Sequence, residues 1–201
     1  SPVTVRTPNG LVVPKRDSTL LFNEVCRLFY GYLATLGIED HVSCFNVPLN
    51  VRIKSGEMKE GPHSTDLPHS DAWAGENPRS VTAMLFLRGC TWVNHVRFYE
   101  PPENFNEGWL SPRAHDSGFA GSVLTGYKQF DYVPTNGDLV FADFATLHGA
   151  FRMTYLPRVG IDTTFGLVEH GACNTGPWRG ERMHFNDLLG PNSPWPDMQY
   201  D

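Results

Sequence analysis

Apolar residues recur at intervals of three and four over residues 18–36. The members of this set are Leu21, Val25, Leu28, Phe29, Tyr32, Leu33 and Leu36. This spacing places them along one side of a helix. Asp17 or Ser18 can cap its start, and Gly37 can end it. We predict one amphipathic helix over residues 18–36, packed against a sheet.

The period of the pattern changes to two after this helix. Over residues 47–54 the apolar set is Val47, Leu49, Val51 and Ile53, and it alternates with Asn50, Arg52 and Lys54. Alternation puts the two sets on opposite faces of a strand. The polar face has two interpretations that remain open. It is either a solvated outer face or a face that points into the fold, where Asn50 or Arg52 contacts a bound ligand.

Short β-like runs follow along most of the remaining chain. They cover residues 81–87, 91–99, 122–126, 130–133, 138–143 and 158–168. Turn signals such as Gly61-Pro62 and Asn136-Gly137 separate them. Seven or eight short strands divided by such turns favour a jelly-roll sandwich or barrel.

Three segments fall outside this pattern. Residues 2–16 are predicted to be a loop or a short edge strand, and residues 100–119 and 170–201 to be loop excursions from the sheet. The 201 residues suit one domain. We therefore predict a single, mainly β domain over residues 1–201, with its core at about 47–168 and the helix outside it.

Composition and charge exclude several classes of function. With 40% hydrophobic and 19% charged residues, the chain is predicted to be globular. Its 16 basic residues are scattered and are outnumbered by 22 acidic ones, which argues against a nucleic-acid partner. The sequence has no apolar stretch of the roughly 20 residues that a membrane span needs. Four widely spaced cysteines without a CxxC pair favour free thiols in a reducing cytoplasm.

The candidate chemistry lies in the arrangement of two of the eight histidines. His69 and Asp71 are two residues apart, so they project to the same side of an extended segment. His148 follows a turn and an apolar run at residues 137–143. Two imidazoles and one carboxylate leave one face of an octahedral metal open, as in non-heme Fe(II) oxygenases. His63 and Asp66 offer a competing pair, but residues 61–68 have the composition of a loop.

A candidate anion site follows the second histidine. Arg158 lies ten residues after His148, at the head of a run in which Arg158, Gly160, Asp162 and Thr164 alternate onto one face. An arginine in a partly buried pocket binds a bidentate anion, and the distal carboxylate of 2-oxoglutarate is such an anion. Gly160 would leave room for that cosubstrate.

Together these residues resemble a known family. His69-x-Asp71, the later His148 and the still later Arg158, with Gly-Asp-Leu-Val-Phe leading into the second histidine, are similar to the Fe(II)/2-oxoglutarate-dependent oxygenases. The nearest branch is the phytanoyl-CoA-hydroxylase-like one. The resemblance covers residues 47–168 and implies a double-stranded β-helix, the cupin-like jelly roll. Some members carry serine where this chain has Gly160, so a second cosubstrate contact must come from elsewhere.

The resemblance also implies a reaction. His69, Asp71 and His148 would hold Fe(II), 2-oxoglutarate would chelate the iron, and Arg158 would anchor its far end. Asn50, Arg52 and Thr164 are further candidate cosubstrate contacts. O2 would then be activated with release of succinate and CO2, and a ferryl species would abstract hydrogen from the substrate. Because Asp71 is a carboxylate, the resemblance favours hydroxylation, desaturation or ring closure over chlorination.

The substrate and the assembly are less constrained by the sequence. We expect a small polar metabolite of a biosynthetic pathway, with Trp73 and Arg113 as candidate substrate contacts, and a homodimer is one open assembly state. Residues 100–119 are either a lid over the site or a surface loop. Two other classes remain open: a zinc-dependent hydrolase that uses the same three ligands, and a non-catalytic jelly-roll binding module.

Overall fold

A computed structural model describes the larger part of the chain. The described residues are 4–6, 11–14, 19–38, 41–47, 49–55, 66–74, 80–110, 124–143, 145–167 and 181–183. In these ranges the chain is mainly β, with one α-helix, α1 (Thr19–Ala34), and two short 3-10 helices, Asp71–Ala74 and Glu107–Leu110. No helix in the same ranges combines the length and the apolar character that a membrane crossing requires.

The strands form two antiparallel sheets. They are β1 (Thr4–Arg6), β2 (Leu11–Pro14), β3 (Val42–Val47), β4 (Asn50–Lys54), β5 (Ser80–Arg88), β6 (Asn94–Glu100), β7 (Lys128–Gln129), β8 (Leu139–Ala142), β9 (Leu147–Arg152), β10 (Arg158–Leu167) and β11 (Glu181–Met183). The larger sheet has the order β1-β2-β4-β10-β3-β11, and β5 joins β10 to β8. The smaller sheet has the order β7-β6-β9.

Strand β10 is the centre of the larger sheet because three strands pair with it. Its first half pairs with β4, its last residues with β3, and nearly its whole length with β5. The pairing with β4 sets Arg158 opposite Lys54, Gly160 opposite Arg52, and Asp162 opposite Asn50. Directly opposed residues of an antiparallel pair share one face, so this register gathers charged side chains on the same side of the sheet.

Helix α1 covers the other face of the larger sheet. Its predicted extent is close to the observed one, and the positive φ of 67° at Gly37 follows its last turn. Its buried apolar side chains are Phe22, Cys26, Phe29, Tyr30 and Leu33, which pack with Leu49 and with Val42, Ala83, Ile161 and Phe165 of the sheet. The Tyr30 hydroxyl lies 3.3 Å from the Thr163 hydroxyl of β10. The helix is thereby fixed to the central strand.

The predicted apolar face of the helix is partly wrong. Leu28, Tyr32 and Leu36 are exposed, at 56%, 44% and 42%, whereas Cys26 and Tyr30 are fully buried. The helix carries apolar side chains around much of its circumference, so the periodicity alone does not determine which face is buried. The choice is made by the sheet, which meets the side that carries Phe22, Cys26 and Tyr30.

Several predicted strands differ from the observed ones. The run at residues 47–54 is divided, because β3 ends at Val47 and β4 begins at Asn50, and residues 91–93 form a turn before β6. Within the described residues, 124–126 and 130–133 form no strand, and only β7 pairs there. Phe130, Tyr132 and Val133 are exposed, so burial does not hold them in a strand, although the amide of Phe130 donates to the carbonyl of Phe98 at 2.9 Å. Strands β3, β7, β9 and β11 were not predicted.

Strand β9 was not predicted because Gly149 interrupts the alternation of apolar and polar residues along it. A Cβ atom at Gly149 would lie 2.8 Å from the backbone nitrogen of Pro68 and 2.9 Å from the carbonyl carbon of Leu67. Both distances are shorter than real Cβ contacts allow, so this position requires glycine. A residue with low strand propensity is therefore needed where β9 meets the segment that carries His69.

The close approach at Gly149 leads to a testable expectation. We expect Gly149→Ala to lower the free energy of unfolding by about 1–3 kcal/mol, because the added methyl group must displace the backbone at Pro68. Chemical denaturation measures the change. Gly31→Ala in α1 is the matched control, since its added methyl group meets no atom within 4 Å, and it should stabilise the protein by about 0.5–1 kcal/mol. Equal stability of Gly149→Ala and the parent protein would contradict the close approach.

Candidate metal centre

The structure brings His69, Asp71 and His148 together. The Nε2 atoms of His69 and His148 lie 3.9 Å and 3.7 Å from Oδ1 of Asp71, and one ligand atom from each residue falls within 4.8 Å of the others. Bonds from a metal to imidazole nitrogen or carboxylate oxygen are about 2.0–2.2 Å long. Atoms at the observed separations are therefore close enough to share one ion.

A pair of backbone hydrogen bonds fixes the two histidines side by side. The amide of His69 donates to the carbonyl of His148 at 2.9 Å, and the amide of His148 donates to the carbonyl of His69 at 2.9 Å. This antiparallel bridge adds His69 to the smaller sheet as a one-residue partner beside β9. Asp71 follows directly, at the start of the 3-10 helix Asp71–Ala74. The bend places its carboxylate beside both rings.

Neighbouring groups orient two of the three side chains. Nδ1 of His69 lies 2.7 Å from the carbonyl oxygen of Leu67, and because a carbonyl only accepts, this nitrogen carries the proton and leaves Nε2 as the metal-binding atom. The Thr82 hydroxyl donates to Oδ2 of Asp71 at 2.8 Å. Oδ1 of Asp71 remains directed at the histidines.

The electrostatics suit a metal-binding charge state. Burial lowers the pKa of His69 to about 3, and the charge of His148 acts in the same direction. Burial opposes ionisation of Asp71, but the charges of His148, His69 and Arg52 and the Thr82 hydrogen bond lower its pKa overall. Near neutral pH, His69 is therefore neutral and Asp71 is ionised. These are the forms in which both residues bind metals.

The triad lies in a pocket that opens to solvent. Both sheets contribute to its walls. The apolar lining includes Met84 and Phe86 of β5 and Val96 of β6, and the charged lining includes Arg52, Lys54 and Arg158. The pocket thus combines one candidate metal site with three basic side chains.

Arg158 is a buried cation with an unsatisfied donor. Its side chain lies on the inner face of β10, the residue is 6% exposed, and its Nη1 atom has no hydrogen-bond partner among the described residues. Burial lowers its pKa to about 10, so it stays charged at neutral pH. A buried donor without a partner is costly. This arginine therefore has a free position for an anion in the pocket.

The polar face of β4 points into the fold rather than to solvent. Arg52 forms an ion pair with the buried Asp162 and also reaches its second oxygen, Oδ2, at 3.1 Å. The Asn50 amide donates to the same oxygen at 2.9 Å. Arg52 lines the pocket beside the triad, whereas Asn50 acts through Asp162. The structure thus supports the inward of the two interpretations.

Asp66 lies apart from the metal triad, in a buried cluster of its own. Its Oδ1 atom accepts a hydrogen bond from Lys54 at 2.9 Å, and its Oδ2 atom accepts one from Arg152 at 2.6 Å. Its carbonyl accepts from the amide of Ala150 at 3.0 Å. Asp66 therefore ties β4 and β9 to the segment that leads into His69. His63, its partner in the competing pair, lies outside the described residues.

The remaining predicted site residues, Thr164, Trp73 and Arg113, differ in where they lie relative to the pocket. Thr164 is buried on the inner face of β10, with its hydroxyl 3.4 Å from that of Thr82. Trp73 lies outside the pocket lining, because it packs into an apolar cluster with Tyr127 and Leu147 and donates through Nε1 to the carbonyl of Trp109 at 2.7 Å. Its proximity to Asp71 in sequence does not bring its ring to the cavity. Arg113 lies outside the described residues.

Three residues of the site were not singled out from the sequence. Lys54 belongs to the predicted polar face of β4, so the alternation with Arg52 was a usable signal. The roles of Thr82 and Arg152 depend on distant partners, Asp71 and Asp66, and no local pattern marks them. Long-range contacts of this kind appear only in the folded chain.

Comparison with solved structures finds several that resemble this chain to different degrees. The non-heme alpha ketoglutarate dependent epimerase SnoN from nogalamycin biosynthesis is 18% identical, with 81% of this chain and 65% of that chain covered and a TM-score of 0.53. An N-substituted L-amino acid dioxygenase from Burkholderia ambifaria AMMD is 11% identical, with 75% and 70% covered and a TM-score of 0.41. The carbocyclase SnoK from the same biosynthesis as SnoN is 12% identical, with 83% and 69% covered and a TM-score of 0.40.

These comparisons establish similarity of fold and nothing further. The chain spans less than two thirds of SnoN, and at 18% identity the likeness concerns the architecture alone. The TM-scores of the other two structures, 0.41 and 0.40, are too low to show a shared fold. No family model matches the sequence, and no curated protein does. The described chain therefore shares its fold with SnoN, and its chemistry has to be argued from its own residues.

The hydrogen bond from Thr82 to Asp71 can be tested directly. Thr82→Val preserves the shape but removes the donor, so we expect the affinity for Co(II), a probe metal, to fall by about 10–100-fold. Equilibrium dialysis of the metal-free protein measures it. Thr91→Val is the matched control because Thr91 is exposed in the turn before β6. Unchanged affinity in Thr82→Val would mean that the hydroxyl does not orient the carboxylate.

Proposed function

We propose that this protein is an Fe(II)- and 2-oxoglutarate-dependent oxygenase that acts on a small polar metabolite. One observation carries the proposal: the pocket that contains His69, Asp71 and His148 also contains a buried arginine with an unsatisfied donor. A metal site alone would suit several enzyme classes. The combination with Arg158 suits a metal that works together with a bound dicarboxylate.

The donor set supports iron as the metal. Two imidazole nitrogens and one carboxylate oxygen occupy three positions and leave others for cosubstrate and O2, as in non-heme Fe(II) oxygenases. The same ligands suit Zn(II) with a bound water, which would make the protein a hydrolase. Hydrolysis needs no cosubstrate anchor, so Arg158 favours the oxygenase.

The surroundings of Arg158 fit the distal carboxylate of 2-oxoglutarate. Its unsatisfied Nη1 atom is a ready donor, and Gly160, two residues along the same face, leaves the space beside it open. A charge-assisted hydrogen bond from a guanidinium to a carboxylate is strong and orients its partner. Arg158 would therefore hold one end of the cosubstrate while its 2-oxo acid end faces the triad.

The protein itself supplies binding, orientation and exclusion of water. His69 and Asp71 are held by Leu67 and Thr82, and the apolar side chains of Met84 and Phe86 line the pocket that also contains the triad and Arg158. When bound, iron and 2-oxoglutarate supply the oxidising chemistry that removes hydrogen from a substrate.

The strand connections support the double-stranded β-helix. From β4 onward the chain alternates between the sheets: β4 lies in the larger one, His69 bridges to the smaller, β5 returns to the larger, and β6 and β7 lie in the smaller. β8, β9 and β10 continue the alternation. Such winding is what a double-stranded β-helix requires.

Four expectations from the sequence stay predictions. They are the phytanoyl-CoA-hydroxylase-like branch, the cytoplasmic location, the biosynthetic role and the homodimer.

An anaerobic visible absorption titration tests the function. Metal-free protein receives Fe(II) and then 2-oxoglutarate, and we expect a metal-to-ligand charge-transfer band that requires both additions and is absent in His148→Ala. His41→Ala is the matched control, since His41 is exposed and far along the chain from the triad. A folded parent protein without this band would contradict the proposal. Zinc binding would then favour the hydrolase, and binding of neither metal the non-catalytic module.

Arg158 has its own test. Arg158→Gln should weaken 2-oxoglutarate binding by about 1.5–3 kcal/mol while Fe(II) affinity changes little, because the arginine meets the cosubstrate and not the metal. The charge-transfer band, followed against 2-oxoglutarate concentration, measures the first quantity. Arg88→Gln, which removes an exposed charge at the end of β5, is the control. Unchanged cosubstrate affinity in Arg158→Gln would place the anchor at another residue.

A further inference from the structure

An exposed apolar surface lies at the end of the fold where β5 and β9 end. It is formed by the four most exposed large apolar side chains among the described residues, which are Trp92 at 73%, Tyr155 and Leu156 at 72% each, and Met153 at 68%. We call these four residues the apolar patch. None of them lines the pocket that contains the triad. The candidate metal centre therefore does not explain why they are exposed.

Two neighbouring turns carry the apolar patch. Trp92 belongs to the turn between β5 and β6, and the other three residues belong to the turn between β9 and β10. The amide of Met153 donates to the carbonyl of Val93 at 2.7 Å. The side-chain amide of Asn94 donates to the carbonyl of Leu156 at 2.8 Å. These bonds join the two turns, so the four side chains belong to one area of the surface.

Close backbone packing holds the two turns against each other. Gly89, in the first turn, has a positive φ of 76°. A Cβ atom at this position would overlap the carbonyl oxygen of Pro157 in the second turn, so the contact requires glycine. Ordering of loops reduces the affinity of many interfaces. Because these turns are already held in place, a partner can bind the apolar patch without that cost.

The two turns carry no charge. Residues 89–93 and 153–157 include no acidic or basic residue, although the chain has a formal net charge of −6. Of the three arginines that flank the turns, Arg152 and Arg158 have buried side chains and Arg88 is exposed. A net charge of one sign keeps copies of a protein apart. Two copies of this chain therefore approach each other most easily where each of them is uncharged.

We propose that the apolar patch is the interface through which two copies of this chain form a two-fold symmetric dimer. In such a dimer the same surface of each copy meets the other, so the interface is self-complementary. Tyrosine, tryptophan and methionine are enriched at the centre of interfaces, and charged residues are depleted there. A second copy offers an uncharged apolar surface of equal size. The inference gives the homodimer a place on the molecule and is independent of the proposed function.

The size of the apolar patch indicates a weak and reversible dimer. Aromatic side chains bury about 150–250 Å² each. Trp92 and Tyr155, together with Met153 and Leu156, therefore supply roughly half of the about 800 Å² per partner of a standard interface. Interfaces at the small end of the range are typical of transient complexes. We expect monomer and dimer to exchange at protein concentrations of about 10–100 µM.

Helix α1 carries a second exposed apolar surface, which serves as a control. Leu28, Tyr32 and Leu36 are spaced four residues apart on its solvent side, but each is less exposed than any member of the apolar patch. Glu24, one turn before Leu28, and the neighbouring Arg27 add an exposed ion pair to this side. This surface is therefore smaller in exposed apolar area and carries charged groups.

Sedimentation equilibrium of the full chain tests the dimer. We expect the parent protein to contain monomer and dimer only. Tyr155→Gln combined with Leu156→Gln should raise the dimer dissociation constant by at least about tenfold, because aromatic side chains contribute most of the binding energy of many interfaces. The matched control is Tyr32→Gln combined with Leu28→Gln, which makes the same two substitutions on α1 and should leave the dissociation constant unchanged. Chemical denaturation and Co(II) dialysis should show that both double variants remain folded.

Each contrary result has a distinct meaning. A parent protein that stays monomeric up to about tenfold above the upper end of this concentration range would overturn the inference. So would an equal loss of the dimer in both double variants, or a loss in the α1 variant alone. Species larger than a dimer would indicate unspecific apolar association, since a two-fold interface closes on itself.

Two further measurements complete the test. A monomeric parent protein that binds phosphatidylcholine vesicles through Tyr155 and Leu156 would assign the apolar patch to a lipid surface and overturn the dimer. If the patch double variant fails to fold, Trp92→Gln undergoes the same sedimentation comparison. An unchanged dissociation constant in a folded Trp92→Gln would then exclude the apolar patch as the interface.

Discussion

The site depends on one contact between two distant parts of the backbone. The segment that ends in His69 lies against β9 so closely that Gly149 can carry no side chain, and two hydrogen bonds of 2.9 Å hold His69 and His148 in register. Without this contact the two imidazoles would belong to separate loops. The position of Asp71 follows from it, because the chain turns into a 3-10 helix immediately afterwards. The candidate metal centre is thus a property of backbone pairing more than of side-chain packing.

Buried charge reinforces the same contact. Asp66 receives Lys54 from β4 and Arg152 from β9, and its own backbone carbonyl accepts from Ala150. Breaking such a cluster by removing one partner leaves an uncompensated charge in the interior, which is far more costly than losing an exposed ion pair. The cluster therefore fixes the segment before His69 against both sheets. It also places Lys54 in the lining of the pocket that contains the triad and Arg158.

Local patterns in the sequence predicted the parts of this site that lie close together along the chain. The alternation that turns Arg158 and Gly160 inward follows from a period of two, and the turn and apolar run before His148 marked that residue as a candidate. Asp71 was expected beside His69 in an extended segment, whereas the bend into the 3-10 helix places it there. The pairing of Thr82 with Asp71 and of Asp66 with Arg152 has no local signature, because each joins residues brought together only by the fold. Strand β9 shows the same limit, since Gly149 serves a backbone approach that no local pattern reveals. The helix face was misassigned for a related reason: the sheet, not the periodicity, selects which apolar residues are buried.

The central position of β10 has a consequence for how the protein folds. This strand pairs with β4, β5 and β3, and all three lie far before it in the sequence. Pairings between residues so far apart in sequence raise the contact order and slow folding, because the entropy of closing long loops is lost before the contacts form. On the ribosome, the strands that carry or flank the two histidines emerge before β10. The interior of the site therefore remains open to water until the last of its central strands inserts, and enclosure of the pocket is a late step in folding.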